Sequence, residues 1–166
     1  LEAIARDGVA RCVNLSPASL ADASLAPRLR ALLFAAPRAA RQLAIEVAEA
    51  AALDHFAPLQ QLGRQLRPCG VQMGLEHAGN GLGRIDRLFE IGLDFIKLDS
   101  SATRGIALEA QRADFVRASV ELLHRMSLPV YAEGVVDADD AQMLWRCGID
   151  GITGPWASAQ RPQSVS

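Results

Sequence analysis

The chain has 166 residues, 50 % of them hydrophobic and 22 % charged, with a formal net charge of −2. That is one domain's length and the composition of a soluble globular protein. With no basic block and few aromatics, bulk attraction to nucleic acid or anionic lipid is excluded as an organising principle, although a local lysine or arginine can still hold a small anion. No stretch approaches the roughly 20 apolar residues of a membrane span, and the N-terminus carries no basic-then-apolar leader.

The chain opens on Leu1-Glu2-Ala3-Ile4-Ala5-Arg6-Asp7-Gly8, which reads as the end of a helix stopped by glycine. A helix cut open at residue 1 carries the expectation of a piece of something longer. From Gly8 onward short apolar runs alternate with helical stretches. The predicted strands are roughly 10–15, 42–47, 70–76, 93–98, 129–133 and 149–153. Helical patterns lie between them near 18–35, 52–66, 83–91, 105–126 and 138–147. Gly70, Gly92, Gly134 and Gly148, with Pro68 and Pro129, punctuate the boundaries. Repeated β-then-α with near-continuous apolar strands predicts a parallel sheet covered by helices. A closed barrel needs about eight such units and some 200–250 residues, so about six units imply an incomplete barrel or an open sheet. The tail 160–166 is polar.

The three cysteines (Cys12, Cys69, Cys147) are far apart and odd in number. They fit neither a zinc pattern nor a disulfide framework and read as buried thiols in a reducing compartment.

Polar residues gather at the ends of the apolar runs: Asn14 after Val13, Glu46 after Ile45, Glu76 and His77 after Leu75, Lys97 and Asp99 around Leu98, Glu133 after Ala132. Polar side chains at successive strand exits are how a βα-barrel lines the pocket at its C-terminal face. An amide (Asn14), three glutamates (Glu46, Glu76, Glu133) and a lysine (Lys97) there are suited to a divalent metal and a phosphate. Each residue also has a plainer explanation. Glu46 is equally a carboxylate at a helix start, and His77 a hydrogen-bonded core histidine. Lys97 between large apolar neighbours needs a partner, because a bare buried ammonium is very costly, and a structural salt bridge with Asp99 or a strand-end glutamate would serve. Glu49 follows Glu46 by three; if the strand ends between them, the second can anchor a loop. The run Gly74-Leu75-Glu76-His77-Ala78-Gly79-Asn80-Gly81-Leu82-Gly83 reads as a glycine-rich turn able to face a phosphate with backbone N–H groups. It lacks the G-x-G-x-x-G spacing, so a nicotinamide cofactor is not supported.

Taken in order, these segments resemble the EAL domain family, phosphodiesterases and receptors of the bacterial second messenger cyclic di-GMP. Val13-Asn14-Leu15-Ser16 is similar to the family's V-N-L-S. Ile45-Glu46-Val47-Ala48-Glu49 is similar to E-x-T-E, and Ile96-Lys97-Leu98-Asp99 to K-L-D. Ala132-Glu133-Gly134-Val135 is the A-E-G-V element, and Gly148 to Gly154 parallels the closing G-x-D-x-x-Q-G. Leu75 to Gly81 stands where the family has D-D-F-G-T-G. The resemblance implies a modified TIM-like (β/α)₈ barrel of which this chain covers roughly the C-terminal two-thirds, residues 1–159, without the family's E-x-L strand. It implies Asn14, Glu46 and Glu76 as metal-site groups, Lys97 and Glu133 as groups near the attacking water, and Glu49 as anchor of the glycine-rich loop. It places Asn14, Glu76, Lys97, Gly154 and Trp156 about the nucleotide, although Trp156 equally serves to close the barrel end.

The departures fall on the metal pair. Glu76 and His77 replace paired aspartates, Ala78 and Asn80 replace Phe and Thr, and Thr153 replaces a glutamine. Two Mg²⁺ or Mn²⁺ ions need oxygen ligands at nearly fixed distances; histidine removes a charge and offers nitrogen. The expectation is a catalytically degenerate receptor, similar to the LapD-type branch, binding cyclic di-GMP with no required cofactor. Mg²⁺ or Mn²⁺ would serve any residual phosphodiesterase activity. A scaffold without nucleotide binding is the third reading. A homodimer or further domains of a larger signalling protein are the expected partners, in the cytoplasm or on the cytoplasmic side of an inner-membrane protein.

Overall fold

The computed structural model describes residues 1–79 and 90–160. They fall into two compact units, the first formed by 1–76 with 90–94, the second by 77–79 with 95–160.

In the first unit a short helix α1 (Glu2–Asp7) stops at Gly8, whose φ of 69° is the left-handed conformation that glycine adopts without a Cβ penalty. Strand β1 (Arg11–Asn14) follows, then α2 (Pro17–Leu20), α3 (Leu25–Ala35) and α4 (Pro37–Ala40). The stretch predicted as one helix over 18–35 is thus broken at 21–24, between α2 and α3, and it ends at Ala35 as expected; Ser16 caps α2 through its side chain and Pro37 opens α4. Strand β2 (Leu43–Ala48) is buried along nearly its whole length, as expected of a parallel strand covered on both faces. Next come α5 (Glu49–Asp54) and α6 (Phe56–Leu66). Leu59, Leu62, Gly63 and Leu66 form the buried face of α6, the spacing of an amphipathic helix. Gly63 is required there, since a Cβ would lie 2.8 Å from the Ile91 carbonyl oxygen. Strand β3 (Gln72–Ala78) begins in this unit. Asn14 pairs in parallel register with Glu46, and Glu46 with Gly74. Alternation along β3 then puts Glu76 on the same face as Asn14 and Glu46.

In the second unit β4 (Phe95–Leu98) pairs in parallel with β5 (Val130–Ala132), and β5 with β6 (Gly151–Ile152). Between β4 and β5 lie α7 (Ser100–Thr103), a 3₁₀ turn (Ile106–Leu108) and α8 (Ala110–Arg125). Ala113, Val116, Val120 and Leu123 supply the buried stripe of α8. Helix α9 (Ala138–Arg146) is capped by the Asp137 side chain. Its Asp140, 5 % exposed, accepts the Gly105 and Ala107 N–H groups at 2.7 and 3.0 Å. A buried carboxylate is thereby satisfied by the otherwise orphaned donors of the 3₁₀ turn. Helix α10 (Pro155–Ala159) closes the unit. Ile96, Leu98, Ile106, Val116, Leu123 and Leu144 are essentially sealed from solvent. Each such side chain contributes about 1.5–3 kcal/mol relative to exposure.

All six predicted strands are present. The predicted glycine-rich turn is in part strand, because β3 runs on through His77 and Ala78. Asn80–Gly83 and the helix predicted near 83–91 lie outside the described residues, apart from 90 and 91, as does the tail from 161. Cys69 and Cys147 are buried as expected, and burial raises the Cys147 thiol pKa, but Cys12 is exposed on β1. Among the described residues no helix is long and apolar enough to cross a membrane.

Candidate functional site

Each unit assembles its own share of the predicted site. In the first, Asn14 ends β1 and Glu76 lies near the end of β3. The Asn14 side-chain amide donates to Glu76 Oε2 at 3.1 Å. Glu46 and Glu76 are 2 % and 8 % exposed, so two carboxylates are buried on the face that carries Asn14. Such burial is costly unless charge partners or hydrogen bonds offset it, so the pair marks a functional face or a polar network. The strand does end between Glu46 and Glu49. Glu49 is the first residue of α5, where a carboxylate complements the helix dipole, and it is 5 % exposed.

In the second unit the register of Leu98 with Ala132 brings the next residues, Asp99 and Glu133, to one level. The Asp99 N–H donates to the Ala78 carbonyl at 2.8 Å, which holds the end of β3 beside them. His77 then lies with Nδ1 3.2 Å from Asp99 Oδ2 and 3.2 Å from Glu133 Oε2. Its backbone N–H also donates to Glu133 Oε2, at 3.2 Å. The side chain is 57 % exposed, so His77 is not the core histidine that was one expectation for it. Its φ of 54° is left-handed, a conformation costly for a residue with a Cβ and held here by the surrounding contacts. Asp99 Oδ1 accepts the Ser101 N–H at 2.7 Å. The hydrogen bonds from Ser101, with His77 adding to them, hold the Asp99 carboxyl below its ordinary pKa and therefore ionised.

Lys97 stands two residues before Asp99 on β4 and is half-buried. Gly154 caps α10 at φ 124°, its Cα so close to the 134–135 backbone that a Cβ would lie 2.5 Å from the Val135 nitrogen. Trp156 is half-buried, and its backbone N–H donates to the Val135 carbonyl at 3.0 Å. Thr153 is exposed, and its backbone N–H donates to Ala132 O.

The structure brings Asn14 to Glu76, and His77 and Asp99 to Glu133. Asp99 is the site residue that sequence reasoning passed over, treating it only as a salt-bridge partner for Lys97. Its signal was present: two residues after Lys97, it shares that residue's side of an extended strand.

The EAL domain family profile matches residues 4–160. The probable cyclic di-GMP phosphodiesterase PdeN of Escherichia coli is 26 % identical over 162 residues, 98 % of this chain and 31 % of PdeN. The FimX EAL domain of Pseudomonas aeruginosa bound to c-di-GMP superposes with a TM-score of 0.85 at 25 % identity, over 92 % of this chain and 63 % of that one. Klebsiella pneumoniae BlrP1, in its manganese/cyclic di-GMP complex at pH 6, gives a TM-score of 0.75 at 26 % identity, over 86 % of this chain and 37 % of BlrP1. The chain thus spans about a third of PdeN and less than two thirds of the FimX domain.

Proposed function

Because the chain belongs to the EAL domain family, we propose that it is a receptor module that binds cyclic di-GMP and does not turn it over. The observation that carries this reading is His77, set between Asp99 and Glu133 with its ring nitrogen 3.2 Å from each carboxylate. The likeness to a FimX domain bound to c-di-GMP supports a retained nucleotide site. Lys97 supplies positive charge for the phosphates, and Trp156 beside Gly154 offers a stacking face for a guanine. In the first unit Asn14 and Glu76 supply polar groups for the ligand.

The donor atoms decide how a metal would be held. Asn14, Glu46 and Glu76 are oxygen-bearing groups and fit one hard divalent cation. His77 stands in the sequence where the family has its second aspartate, and its nitrogen does not fit magnesium. A bound pair supplies an activated water in metal-dependent phosphodiester cleavage. In this reading Lys97 and Glu133 serve ligand binding and not hydrolysis. The competing reading, a weak Mg²⁺- or Mn²⁺-dependent phosphodiesterase, draws on PdeN and on the manganese complex of BlrP1. A module of this kind acts through a second copy of itself or through other domains of a larger protein, on the cytoplasmic side of a membrane in a LapD-type arrangement.

The test is calorimetric titration of cyclic di-GMP in EDTA and then in excess Mn²⁺, followed by chromatography of the nucleotide. Micromolar or tighter binding with the nucleotide recovered intact in both is the expected result. Linear product in Mn²⁺ makes the protein an enzyme, and no binding in either leaves a scaffold.

A further inference from the structure

The connection from β4 to α8 begins at Asp99, whose carboxylate caps α7, and it is fastened from two sides. On one side stands Asp140 of α9, 5 % exposed, which accepts the Gly105 N–H on one carboxylate oxygen at 2.7 Å and the Ala107 N–H on the other at 3.0 Å. On the other side Arg112 of α8 donates through Nη1 to the Ser101 and Arg104 carbonyls, at 3.0 and 2.8 Å. Its Nε is held by Glu109 at 2.7 Å. We propose that Asp140 and Arg112 are positioning residues for the nucleotide pocket, holding the segment 99–109 so that Asp99 and the turn after β5 keep their places. The ligand in this inference rests on the receptor reading above, whereas the positioning is measurable without nucleotide.

Two routes run from this clasp to the site. The first passes through Ser101, whose carbonyl accepts from Arg112 and whose N–H donates to Asp99 Oδ1 at 2.7 Å. Helix α7 has only four residues, too few to be held by propagation of its own hydrogen bonds. Its ends are therefore set by outside partners, the Asp99 carboxylate at its start and the Arg112 guanidinium on its last carbonyls. Loosening Arg112 frees the turn that orients Asp99.

The second route passes through the turn after β5. Gly134 packs so closely on α7 that a Cβ there would lie 3.0 Å from the Ser100 Cβ. Val135 follows, donating its N–H to the Thr153 carbonyl at 2.9 Å and accepting the Trp156 backbone N–H at 3.0 Å. Helix α9 opens from the same turn, and the Asp137 side chain that caps it accepts the Asp140 N–H at 2.8 Å. Asp140 thus belongs to the connection that carries Glu133 and bonds across to the one that carries Asp99. An apolar residue in its place would leave the Gly105 and Ala107 N–H groups without that acceptor and let the two connections shift independently.

The rival account is a pair of caps that stabilise the second unit and leave the pocket unmoved. Amide hydrogen exchange on the nucleotide-free protein, read by NMR in Asp140→Ala and Arg112→Gln, separates the two. The expected result is exchange at Ser101 quickened about tenfold or more in each variant, the scale of one hydrogen bond to a charged group. The core amides of Ile96 and Val130, bonded to the Pro129 carbonyl and the Asp150 carboxylate, change far less. Equal quickening at Ser101 and at those core amides is a general loss of stability and overturns the proposal, as does unchanged exchange at Ser101. Calorimetry in EDTA then reads the pocket, where cyclic di-GMP affinity is expected to fall about tenfold in both variants. Asp140→Asn, which keeps a carbonyl oxygen for one of the two N–H groups, falls less. Affinity equal to the parent's in Asp140→Ala and Arg112→Gln overturns the link to the pocket. Should Asp140→Ala fail to fold, Arg112→Gln decides alone, since the Arg112 side chain is 31 % exposed and its loss opens no cavity in the core. A parent that binds no nucleotide sinks the receptor reading only, and exchange at Ser101 still decides the positioning.

Discussion

The Asn14 side-chain amide donates to Glu76 Oε2 at 3.1 Å across 62 positions of sequence, joining the ends of two strands that both flank β2. Glu76 is 8 % exposed, so this donor stabilises a carboxylate with little access to water. Asn14→Ala is expected to cost about 1–3 kcal/mol, the range for removing a partner from a buried polar group. Urea unfolding measures it. A variant as stable as the parent would mean that the Asn14 contact is dispensable to Glu76.

The strand-end positions were legible in the sequence because apolar runs in a parallel sheet end where polar residues begin, and all six runs became strands. The pairing of His77 with Asp99 and Glu133 was not legible. It depends on β3 continuing two residues beyond the predicted strand, into the predicted turn, and on the β4–β5 register, neither of which local pattern encodes. The break between α2 and α3 was missed for a related reason. A continuous helical pattern over 18–35 concealed the interruption at 21–24, where Asp22 Oδ1 accepts the Ser24 N–H and hydroxyl.

Lys97→Ala is expected to lower cyclic di-GMP affinity about tenfold or more, the scale of one charge-assisted phosphate contact. Calorimetry in EDTA reads it directly. Unchanged affinity would remove Lys97 from the pocket.

His77→Asp places a carboxylate where the proposed site has an imidazole but leaves Glu76 and Thr153 as they are. Displacing a reacting group by about an ångström can cost about a hundredfold in rate. No turnover in Mn²⁺ is therefore expected from the single change. Linear product from this variant would show the other two departures to be harmless.

Asp150 accepts the Val130 N–H and faces His124 Nε2, both at 2.7 Å. Burial pushes its carboxyl pKa up, but the Val130 and His124 hydrogen bonds outweigh burial and leave it below the ordinary value. A pKa depressed by folding contributes stability above the unfolded value near 3.9 and loses it as pH falls through the folded value. Asp150→Asn should flatten the fall in stability as pH drops below about 4. Parallel pH profiles for parent and variant would show that another carboxylate dominates acid unfolding.

Gly154 and Gly8 separate two costs of losing a glycine. Gly8, at φ 69°, would place a Cβ in open space, so Gly8→Ala carries only the left-handed penalty of about 1–2 kcal/mol. Gly154, at φ 124°, would place a Cβ 2.5 Å from the Val135 nitrogen and 2.7 Å from its oxygen, both backbone atoms that cannot rotate away. The loop around Val135 must then move, and with it the Val135 carbonyl that holds the Trp156 N–H. Gly154→Ala should therefore destabilise by about 3 kcal/mol or more, and should weaken cyclic di-GMP binding through Trp156. Thermal unfolding and titration of both variants check this. Equal losses of stability would mean that the 153–156 turn relaxes around a methyl group and is not held by close contact.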